Sequence, residues 1–340
     1  MAGRIKKVAG TVVLVIVALL LASITFTIGW RPVIGARGRA LTERRFESTP
    51  ARLERGRYLI EGVMGCFDCH SEHDISLPGE PPKEGTKGGG RIFFPEGTDF
   101  PGRLVASNIS PDPETGAGKW TDDMFARAIR EGIGHDGRAL FPLMPYSNYR
   151  EMPDEDLASV IVYLRSIPPI KNALPNSEIK FPLSRLYLSA PQPITAAVAQ
   201  PDLSDPVKHG QFIARMASCS NCHTVEERGA PRTGLEYGGG FVLGPPEHAV
   251  ASVNITPDAS GISYYDEAMF LEAMRTGQVK ARKLDAIMPW AYYRGMTDDD
   301  LKAMWAYLKT LPPVKHRVDN AEPATLCKLC GNTHGAGDKN

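Results

Sequence analysis

The stretch CFDCH occupies residues 66–70, and its spacing of two cysteines and a histidine returns as CSNCH at residues 219–223. A third pair, CKLC at residues 327–330, is followed by glycine instead of histidine. All six cysteines of the chain lie in these three Cys-x-x-Cys pairs, so none is left over for a long-range disulfide. The cysteines are therefore interpreted as ligands or attachment points.

The sequence around the first two motifs is an internal repeat. Five further pairs of segments match in the same order: GGGR (88–91) with GGGF (238–241), NISPD (108–112) with NITPD (254–258), MFARAIREG (124–132) with MFLEAMRTG (269–277), MPYSNYREM (144–152) with MPWAYYRGM (288–296), and DEDLASVIVYLRSIPP (154–169) with DDDLKAMWAYLKTLPP (298–313). A repeat of this length predicts two copies of one domain.

Each copy is predicted to be mainly α. Apolar residues recur at i, i+3, i+4 and i+7 in residues 154–167 and again in residues 298–311, which indicates one helix in each. A middle helix is predicted to start at the capping residues Thr121 and Asp266. The sequence also predicts helices before the two CxxCH motifs, at about 50–65 and 205–218. No alternating strand pattern of useful length is present, and 33 glycines and 28 prolines predict long loops.

The CxxCH motif is typical of covalent haem attachment. Cysteines three residues apart lie on one side of a helical turn, where both thiols can reach the vinyl groups of one haem while the next histidine faces the iron. A redox dithiol would need a βαβ context, which is missing, and one zinc site built from both pairs would leave the histidines without a role. The sequence thus predicts two covalently bound haem c groups, at Cys66, Cys69 and His70 and at Cys219, Cys222 and His223.

The repeat also selects the second axial ligand of each iron. Three histidines have no counterpart in the other copy, namely His73, His135 and His248. Met144 and Met288 do correspond, and each precedes a proline in a loop before the last helix. They are predicted to be the distal ligands, whereas Met152 and Met296 are predicted to pack in the core.

A histidine and a methionine on each iron fill both axial positions. His70 with Met144, and His223 with Met288, would leave no vacancy for oxygen, peroxide or substrate. This pattern predicts electron transfer rather than catalysis at the haem.

Two weaker repeated features allow two interpretations each. Residues 88–90 and 238–240 are glycine triplets, which suit either close approach of the backbone to a haem or a simple turn. Asn108 and Asn254 precede similar turns, and they suit either a hydrogen bond near a haem propionate or a turn-forming role.

The N-terminus contains an uncharged stretch, Val8 to Trp30, whose 23 residues would span about 34 Å as a helix. Its length and the lack of a clear small-residue cleavage site favour an uncleaved membrane anchor over a secretory signal. The positive charges on its two sides leave the orientation open. Three precede the stretch and three follow it within ten residues: Arg4, Lys6 and Lys7, then Arg31, Arg37 and Arg39.

The pattern divides the chain into six segments. We predict an anchor (1–30), a linker (31–49), a first domain (50–172), a proline-rich linker (173–204), a second domain (205–316) and a tail (317–340). The tail pair, Cys327 and Cys330, lacks the adjacent histidine and is not predicted to carry a third haem. Two interpretations of this pair remain open: a local disulfide, and a metal site completed by His334 and a partner protein.

Composition narrows the partners. Basic and acidic residues number 39 each, so the formal net charge is zero, and nothing indicates a nucleic-acid partner. An apolar content of 42% supports a large buried core.

Residues 50–316 as a whole resemble class I cytochromes c, through GRYLIEGVMGCFDCHS, the glycine triplets, the NISPD segment and the Met-Pro motifs. More closely, they resemble the membrane-associated cytochrome c subunits of bacterial alcohol and gluconate dehydrogenases. The resemblance implies two tandem class I cytochrome c domains after one N-terminal transmembrane helix, with haem c at the motifs above and Met144 and Met288 as ligands. It further implies a single-pass protein of the bacterial inner membrane with its haem domains in the periplasm. Those subunits carry three haem domains, whereas this chain has two.

The function implied is that of an electron-transfer subunit rather than an enzyme. Electrons would pass from a periplasmic dehydrogenase or a quinol-oxidising complex to a downstream cytochrome, quinone or oxidase. The alternatives are a dihaem subunit of a terminal oxidase and, with one open iron site, a dihaem peroxidase or thiosulfate-oxidising enzyme.

Overall fold

The chain begins with a long apolar helix. The computed structural model describes residues 2–98, 100–227, 229–245 and 248–340. Helix α1 spans Ala2–Phe26, and none of its apolar stretch is buried against the rest of the described chain. Among the described helices it alone is long and apolar enough to cross a bilayer, a criterion that an N-terminal signal sequence also meets. A short helix, α2, follows at Arg31–Ile34.

Both halves of the repeat contain the same series of helices. The first half has α3 (Pro50–Tyr58) with its π-helical continuation (Leu59–Val63), α4 (Cys66–Cys69), α5 (Asp122–Glu131), α6 (Tyr146–Tyr149) and α7 (Asp154–Ser166). A connecting segment holds α8 (Leu183–Leu186) and a 3-10 turn (Tyr187–Ser189). The second half has α9 (Pro206–Met216), α10 (Cys219–His223), α11 (Glu267–Thr276), α12 (Trp290–Tyr293) and α13 (Asp298–Leu308), and the last residues form a 3-10 turn (Gly337–Lys339).

The middle helices begin where the sequence predicts. Thr121 Oγ1 accepts a hydrogen bond from Met124 N at 3.2 Å, and Asp266 Oδ1 accepts one from Met269 N at 2.8 Å. These side chains satisfy backbone N–H groups that have no partner inside the first helical turn.

The last helix of each half ends earlier than predicted. Helix α7 stops at Ser166 rather than Ile167, and α13 stops at Leu308 rather than Leu311. Ile167 has extended backbone angles because Pro168 follows it, and the residue before a proline disfavours the helical conformation.

Short strands fill the loops between the helices, and each described strand has five residues or fewer. β1 (Arg91–Phe94), β2 (Gly102–Ala106) and β3 (Glu178–Ile179) form one antiparallel sheet. The other strands pair as β4 (Glu226–Glu227) with β5 (Ala230–Pro231), β6 (Val242–Leu243) with β7 (Val250–Ala251), β8 (Gln278–Val279) with β9 (Arg282–Lys283), and β10 (Ala324–Leu326) with β11 (Thr333–Gly335).

The connecting segments pack against the first half. Arg39 forms ion pairs with Asp123 at 2.7 Å and with Glu131 at 2.8 Å, both on α5. Strand β3 lies in the predicted proline-rich linker and extends the sheet of β1 and β2, while Val198 O accepts a hydrogen bond from Asp154 N at 3.0 Å. The linkers are therefore parts of the folded body.

One hydrophobic core runs through both halves. Buried residues of the first half, such as Leu59 and Ile161, belong to the same cluster as Ile213 and Leu301 of the second. Across the boundary, the Tyr58 hydroxyl donates to Asp300 and accepts a hydrogen bond from Thr297 N at 3.1 Å. The halves therefore meet through buried apolar contacts rather than across a solvated gap.

The first and last helices of each half cross at a glycine. Gly56 on α3 faces the carbonyl of Ser159 on α7, and Gly210 on α9 faces the carbonyl of Ala303 on α13. A Cβ atom at either glycine would lie far inside van der Waals contact with that carbonyl oxygen. The two crossings are thus the same close approach of two backbones.

At these crossings, a glycine-to-alanine substitution is expected to lower stability, which is the opposite of its usual effect in a helix. Alanine normally stabilises a helix interior by about 0.5–1 kcal/mol relative to glycine. At position 56 or 210 the added methyl group overpacks the crossing, so Gly56→Ala and Gly210→Ala should each destabilise the protein by about 1–3 kcal/mol. Urea unfolding of the full chain in detergent, followed by far-UV circular dichroism, measures the change.

The matched control is Gly38→Ala, whose Cβ would lie 3.7 Å from Ile133, an ordinary contact. It should change stability by less than about 0.5 kcal/mol. An unchanged or raised urea midpoint for Gly56→Ala would contradict the close crossing.

Candidate functional site

Each CxxCH motif forms a single helical turn after a left-handed residue. Gly65 (φ 59°) precedes Cys66, and Ser218 (φ 57°) precedes Cys219. The sharp change of direction ends the preceding helix, and the new turn brings both cysteines of a motif to one side. All four cysteines are free thiols.

The two motif histidines are held in the same way. His70 Nδ1 lies 2.7 Å from Ser107 O, and His223 Nδ1 lies 2.7 Å from Val253 O. Because a carbonyl oxygen can only accept, Nδ1 carries the proton in both rings and Nε2 keeps its lone pair. No hydrogen bond to either Nε2 is found within the described residues. A histidine that donates one ring N–H to a carbonyl and leaves the other nitrogen free has the arrangement of a metal ligand.

Burial sets the protonation states at both motifs. Desolvation lowers the pKa of His70 and of His223, so both rings are neutral at pH 7, as metal binding requires. Desolvation also raises the pKa of Cys66 and of Cys219 to about 12, which keeps these thiols protonated. A redox dithiol needs a thiolate near neutral pH, so the environment disfavours that alternative.

The structure separates the two kinds of methionine. Met152 and Met296 are 1% and 2% exposed and lie in the core, as predicted. Met144 and Met288 are half-buried at the edge of the same core, against which Cys66 and Cys219 also pack.

The loops around these methionines repeat in detail. Met144 O accepts from Tyr146 N at 2.8 Å, and Met288 O accepts from Trp290 N at 2.7 Å. The side chains of Met144 and Met288 therefore leave the chain at equivalent points of the two halves.

Each glycine triplet contacts the motif histidine of its own half. The glycines that make this contact differ by one position from those that the sequence match pairs. His70 O accepts a hydrogen bond from Gly90 N at 2.9 Å, and His223 O accepts one from Gly239 N at 2.8 Å. Gly90 is thus equivalent to Gly239, and Arg91 is equivalent to Gly240. Identical glycines hide a shift of one position, and only the hydrogen bonds reveal it.

The repeated asparagines form turns. Asn108 Oδ1 accepts from Ser110 N at 3.0 Å and its Nδ2 donates to Ile170 O at 2.7 Å. Asn254 makes the same pair of bonds to Thr256 and Val314, at 2.9 and 2.7 Å. Of the two interpretations left open for these residues, the structure supports the turn-forming role.

The two motifs lie next to each other across the boundary of the halves. Asn148 Nδ2 on α6 donates to Asn221 Oδ1 inside the second motif at 2.9 Å. In the opposite direction, the Tyr292 ring on α12 packs over Gly65 at the start of the first motif. No sequence pattern indicates this adjacency, because it depends on how the halves pack.

Unpaired polar groups surround the first motif. Within the described chain, the Tyr292 hydroxyl and Arg91 Nε are buried without a hydrogen-bond partner. The Arg91 guanidinium donates a hydrogen bond to Asp68 O at 3.3 Å, and its charge offsets part of the rise that burial causes in the pKa of Asp68 and of Cys69. Buried donors of this kind call for an acceptor from outside the chain, and the propionate groups of a haem are such acceptors. The free thiols, the neutral histidines and these donors fit a covalent haem.

Comparisons with known proteins agree with this chemistry. The family model described as cytochrome c matches residues 207–312. The cytochrome c subunit of the quinone-dependent alcohol dehydrogenase of Komagataeibacter europaeus is 27% identical over 309 residues, which cover 84% of this chain and 62% of that protein. A dihaem c-type cytochrome of Cereibacter sphaeroides is 28% identical over 263 residues, covering 74% of this chain and 83% of that protein.

A nicotinate dehydrogenase subunit of Pseudomonas putida is 33% identical over 202 residues, which cover 57% of this chain and 16% of that protein. This chain thus spans only part of several of its relatives, including less than two thirds of the alcohol dehydrogenase subunit. Residues 207–312 thus match the cytochrome c family, and most of the chain is similar to c-type cytochromes that include the cytochrome c subunits of bacterial dehydrogenases.

Proposed function

We propose that this protein is a membrane-anchored dihaem cytochrome c that transfers electrons for a periplasmic dehydrogenase or quinol-oxidising complex. The observation that carries the proposal is the pair of equivalent CxxCH motifs, each with a neutral histidine whose Nδ1 is bound to a carbonyl and whose Nε2 is free. The fold proposed is two tandem class I cytochrome c domains, with boundaries near residues 50–172 and 205–316.

In the first half, Cys66 and Cys69 would form the thioether bonds, while His70 and Met144 would hold the iron. In the second half, Cys219 and Cys222 would form the bonds, while His223 and Met288 would hold the iron. A haem c bound in this way supplies a one-electron iron couple.

The choice of Met144 and Met288 rests on their repetition and on their half-buried positions at the edge of the core against which Cys66 and Cys219 also pack. The competing methionines, Met152 and Met296, are enclosed by the core. With a histidine and one of these methionines holding each iron, neither iron would keep an open position. This ligand set favours electron transfer over the peroxidase and thiosulfate-oxidising alternatives.

The buried boundary between the halves supports transfer from one site to the other. The Tyr149 hydroxyl donates to Met64 O at 3.4 Å, and the Tyr293 hydroxyl donates to Ala217 O at 2.7 Å, in equivalent positions beside the two motifs. Both rings are buried, so they exclude water from the region between the sites. Because little water reaches this region, less solvent has to reorient when the charge at either site changes.

The membrane location and the partners are inferred from α1 and from the relatives. An uncleaved α1 would hold the haem domains close to membrane-bound donors and raise their effective concentration. The related cytochrome c subunits are named for alcohol, gluconate and fructose dehydrogenases. A dehydrogenase is therefore the proposed donor, and a soluble cytochrome, a quinone or an oxidase the proposed acceptor.

Removing one cysteine pair should remove one haem. The double variant Cys66→Ser/Cys69→Ser should carry one covalently bound haem per chain instead of two, because it can form no thioether bond in the first half. Pyridine haemochrome absorbance and intact protein mass measure the number. The control, Cys327→Ser/Cys330→Ser, changes the pair without an adjacent histidine and should keep both haems. Two covalent haems in the first variant would refute the attachment sites.

Replacing a distal methionine should change the spectrum and potential of one haem only. Met144→His or Met288→His should remove half of the near-infrared absorption that a thioether ligand gives to ferric haem. One midpoint potential should fall, on the order of 100 mV, within the ~0.8 V range that axial ligands control. The matched controls, Met152→Leu and Met296→Leu, change core methionines and should leave the spectrum unchanged. If Met144→His left the near-infrared band at full intensity, another residue would hold that iron.

Purification from native membranes tests the anchor and the partner together. The intact mass of the isolated chain should include residues 1–30, because α1 is proposed to remain attached. A dehydrogenase subunit should copurify with it. Copurification with a copper/haem oxidase core would instead favour the terminal-oxidase alternative, and a mass that lacks residues 1–30 would show that the segment is a cleaved signal.

A further inference from the structure

Four ligand-type side chains meet where the C-terminal tail packs on the second half. They are His316, Cys327, Cys330 and His334, which are 0%, 0%, 4% and 2% exposed. One ligand atom from each lies within 4.8 Å of each of the others. Both cysteines are free thiols rather than a disulfide. Two buried thiols and two buried imidazoles at one point need a stabilising partner.

The hydrogen bonds leave one nitrogen of each imidazole available. His316 Nδ1 lies 2.9 Å from Gly238 O and so carries the proton, which leaves the lone pair on Nε2. His334 Nδ1 lies 3.0 Å from Gly335 O, while its Nε2 is buried without a hydrogen-bond partner among the described residues. Each ring is thus fixed through Nδ1; the Nε2 of His316 contacts only the Cys327 thiol, and the Nε2 of His334 has no partner among the described residues.

The distance between one nitrogen and one sulfur of the cluster matches an edge of a tetrahedral zinc site. His316 Nε2 lies 3.5 Å from Cys327 Sγ. Typical zinc bonds of ~2.0–2.1 Å to nitrogen and ~2.3 Å to sulfur place the two atoms of a tetrahedral edge about 3.5–3.6 Å apart. All four atoms lie within 4.8 Å of one another, close enough to converge on one ion, whereas an iron–sulfur cluster would spread them over two metal positions.

The hairpin of β10 and β11 presents the two sulfur atoms. Between these strands, Gly331 N donates to Cys327 O at 2.8 Å, and Gly331 takes a left-handed conformation (φ 81°). The Cys330 backbone N–H donates to Cys327 Sγ at 3.4 Å, a contact that favours a negatively charged sulfur. The turn thus places both cysteines on the side that faces His316.

The first half has the same local structure without the ligands. Asn172 occupies the position of His316: its Nδ2 donates to Gly89 O at 2.9 Å, just as His316 Nδ1 bonds to Gly238 O. Its backbone N–H also bonds to the Thr115 hydroxyl, just as that of His316 bonds to the Ser260 hydroxyl. An amide is sufficient for the bond to the glycine. An imidazole adds a second nitrogen, and in this chain that nitrogen faces the cysteines.

A second difference between the halves makes room for the site. Arg91 of the first half is replaced by Gly240 in the second. A Cβ at Gly240 would lie 2.5 Å from His316 Cε1 and 3.4 Å from Cys330 Sγ. Gly240 O also accepts from Asn332 Nδ2 in the hairpin turn at 2.9 Å. The glycine therefore permits the tail to approach.

We propose that His316, Cys327, Cys330 and His334 bind one zinc ion in a structural Cys2His2 site. Binding releases one proton from each thiol and involves no oxidation or reduction. Four protein ligands close the coordination shell, so the ion binds no substrate and instead fixes residues 317–340 to the glycine triplet beside His223. The site is independent of the haem chemistry proposed above.

Metal analysis of the full chain tests this proposal. The purified protein should contain one zinc per chain in addition to its haem iron. X-ray absorption at the zinc edge, which does not detect iron, should give a shell of two nitrogens and two sulfurs. Absence of zinc, iron in excess of haem with acid-labile sulfide, or a tail peptide two hydrogens lighter because of a disulfide would each overturn it.

The decisive variant is His316→Asn, which copies the first half. It can keep the bond to Gly238 and removes only the free nitrogen, so the fold should survive. The affinity for zinc, measured by competition with a chelator, should fall by at least ~100-fold. Even the loss of a residue that only hydrogen-bonds to a metal ligand lowers metal affinity 10–100-fold. Lys328→Ala changes an exposed residue between the cysteines and should retain zinc. Both variants should keep full haem content, which separates this test from that of the haem sites. Zinc binding by His316→Asn at the original level would refute the assignment.

Discussion

The arrangement of the candidate site depends on one hydrogen bond that occurs twice, between the Nδ1 of a motif histidine and a main-chain carbonyl. His70 bonds to Ser107 and His223 bonds to Val253, at the same distance in both halves. The bond fixes the tautomer, orients the ring and leaves Nε2 as the only nitrogen that can bind a metal. It also ties a five-residue turn to a loop that lies 37 residues away in the first half and 30 in the second, so that loop and motif are positioned together.

The two halves share this framework but use it differently. The glycine triplet contacts the motif histidine in both, and an asparagine turn closes the same loop in both. In the first half the framework is completed by Asn172 and Arg91, and in the second by His316 and Gly240. The second pair creates a space that the C-terminal hairpin fills. The same backbone arrangement is therefore completed by polar side chains in the first half and by a buried cluster of ligand-type side chains in the second. The residues at these two equivalent positions decide which.

How much of this could be predicted depends on whether the signal is local. The helix caps at Thr121 and Asp266, the CxxCH motifs and the core positions of Met152 and Met296 could all be predicted from the sequence, because spacing and repetition identify them. The one-residue shift in the glycine triplets could not be predicted, because identical residues can be aligned in more than one register. The adjacency of the motifs and the role of His316 depend on packing between distant segments. The spacing H-x10-C-x2-C-x3-H starts at residue 316, but the predicted end of the second domain at that residue separates its first histidine from the cysteines.

The continuous core also restricts how the two halves can move relative to each other. Domains joined by a flexible linker move relative to one another unless their interface is large and apolar. Here Leu59 and Ile161 share a cluster with Ile213 and Leu301. The separation between the two motifs is therefore a fixed dimension of the folded chain, as invariant as the length of one of its helices. Any process that depends on that separation would proceed at a rate set by the fold and would not vary with the orientation of tethered parts.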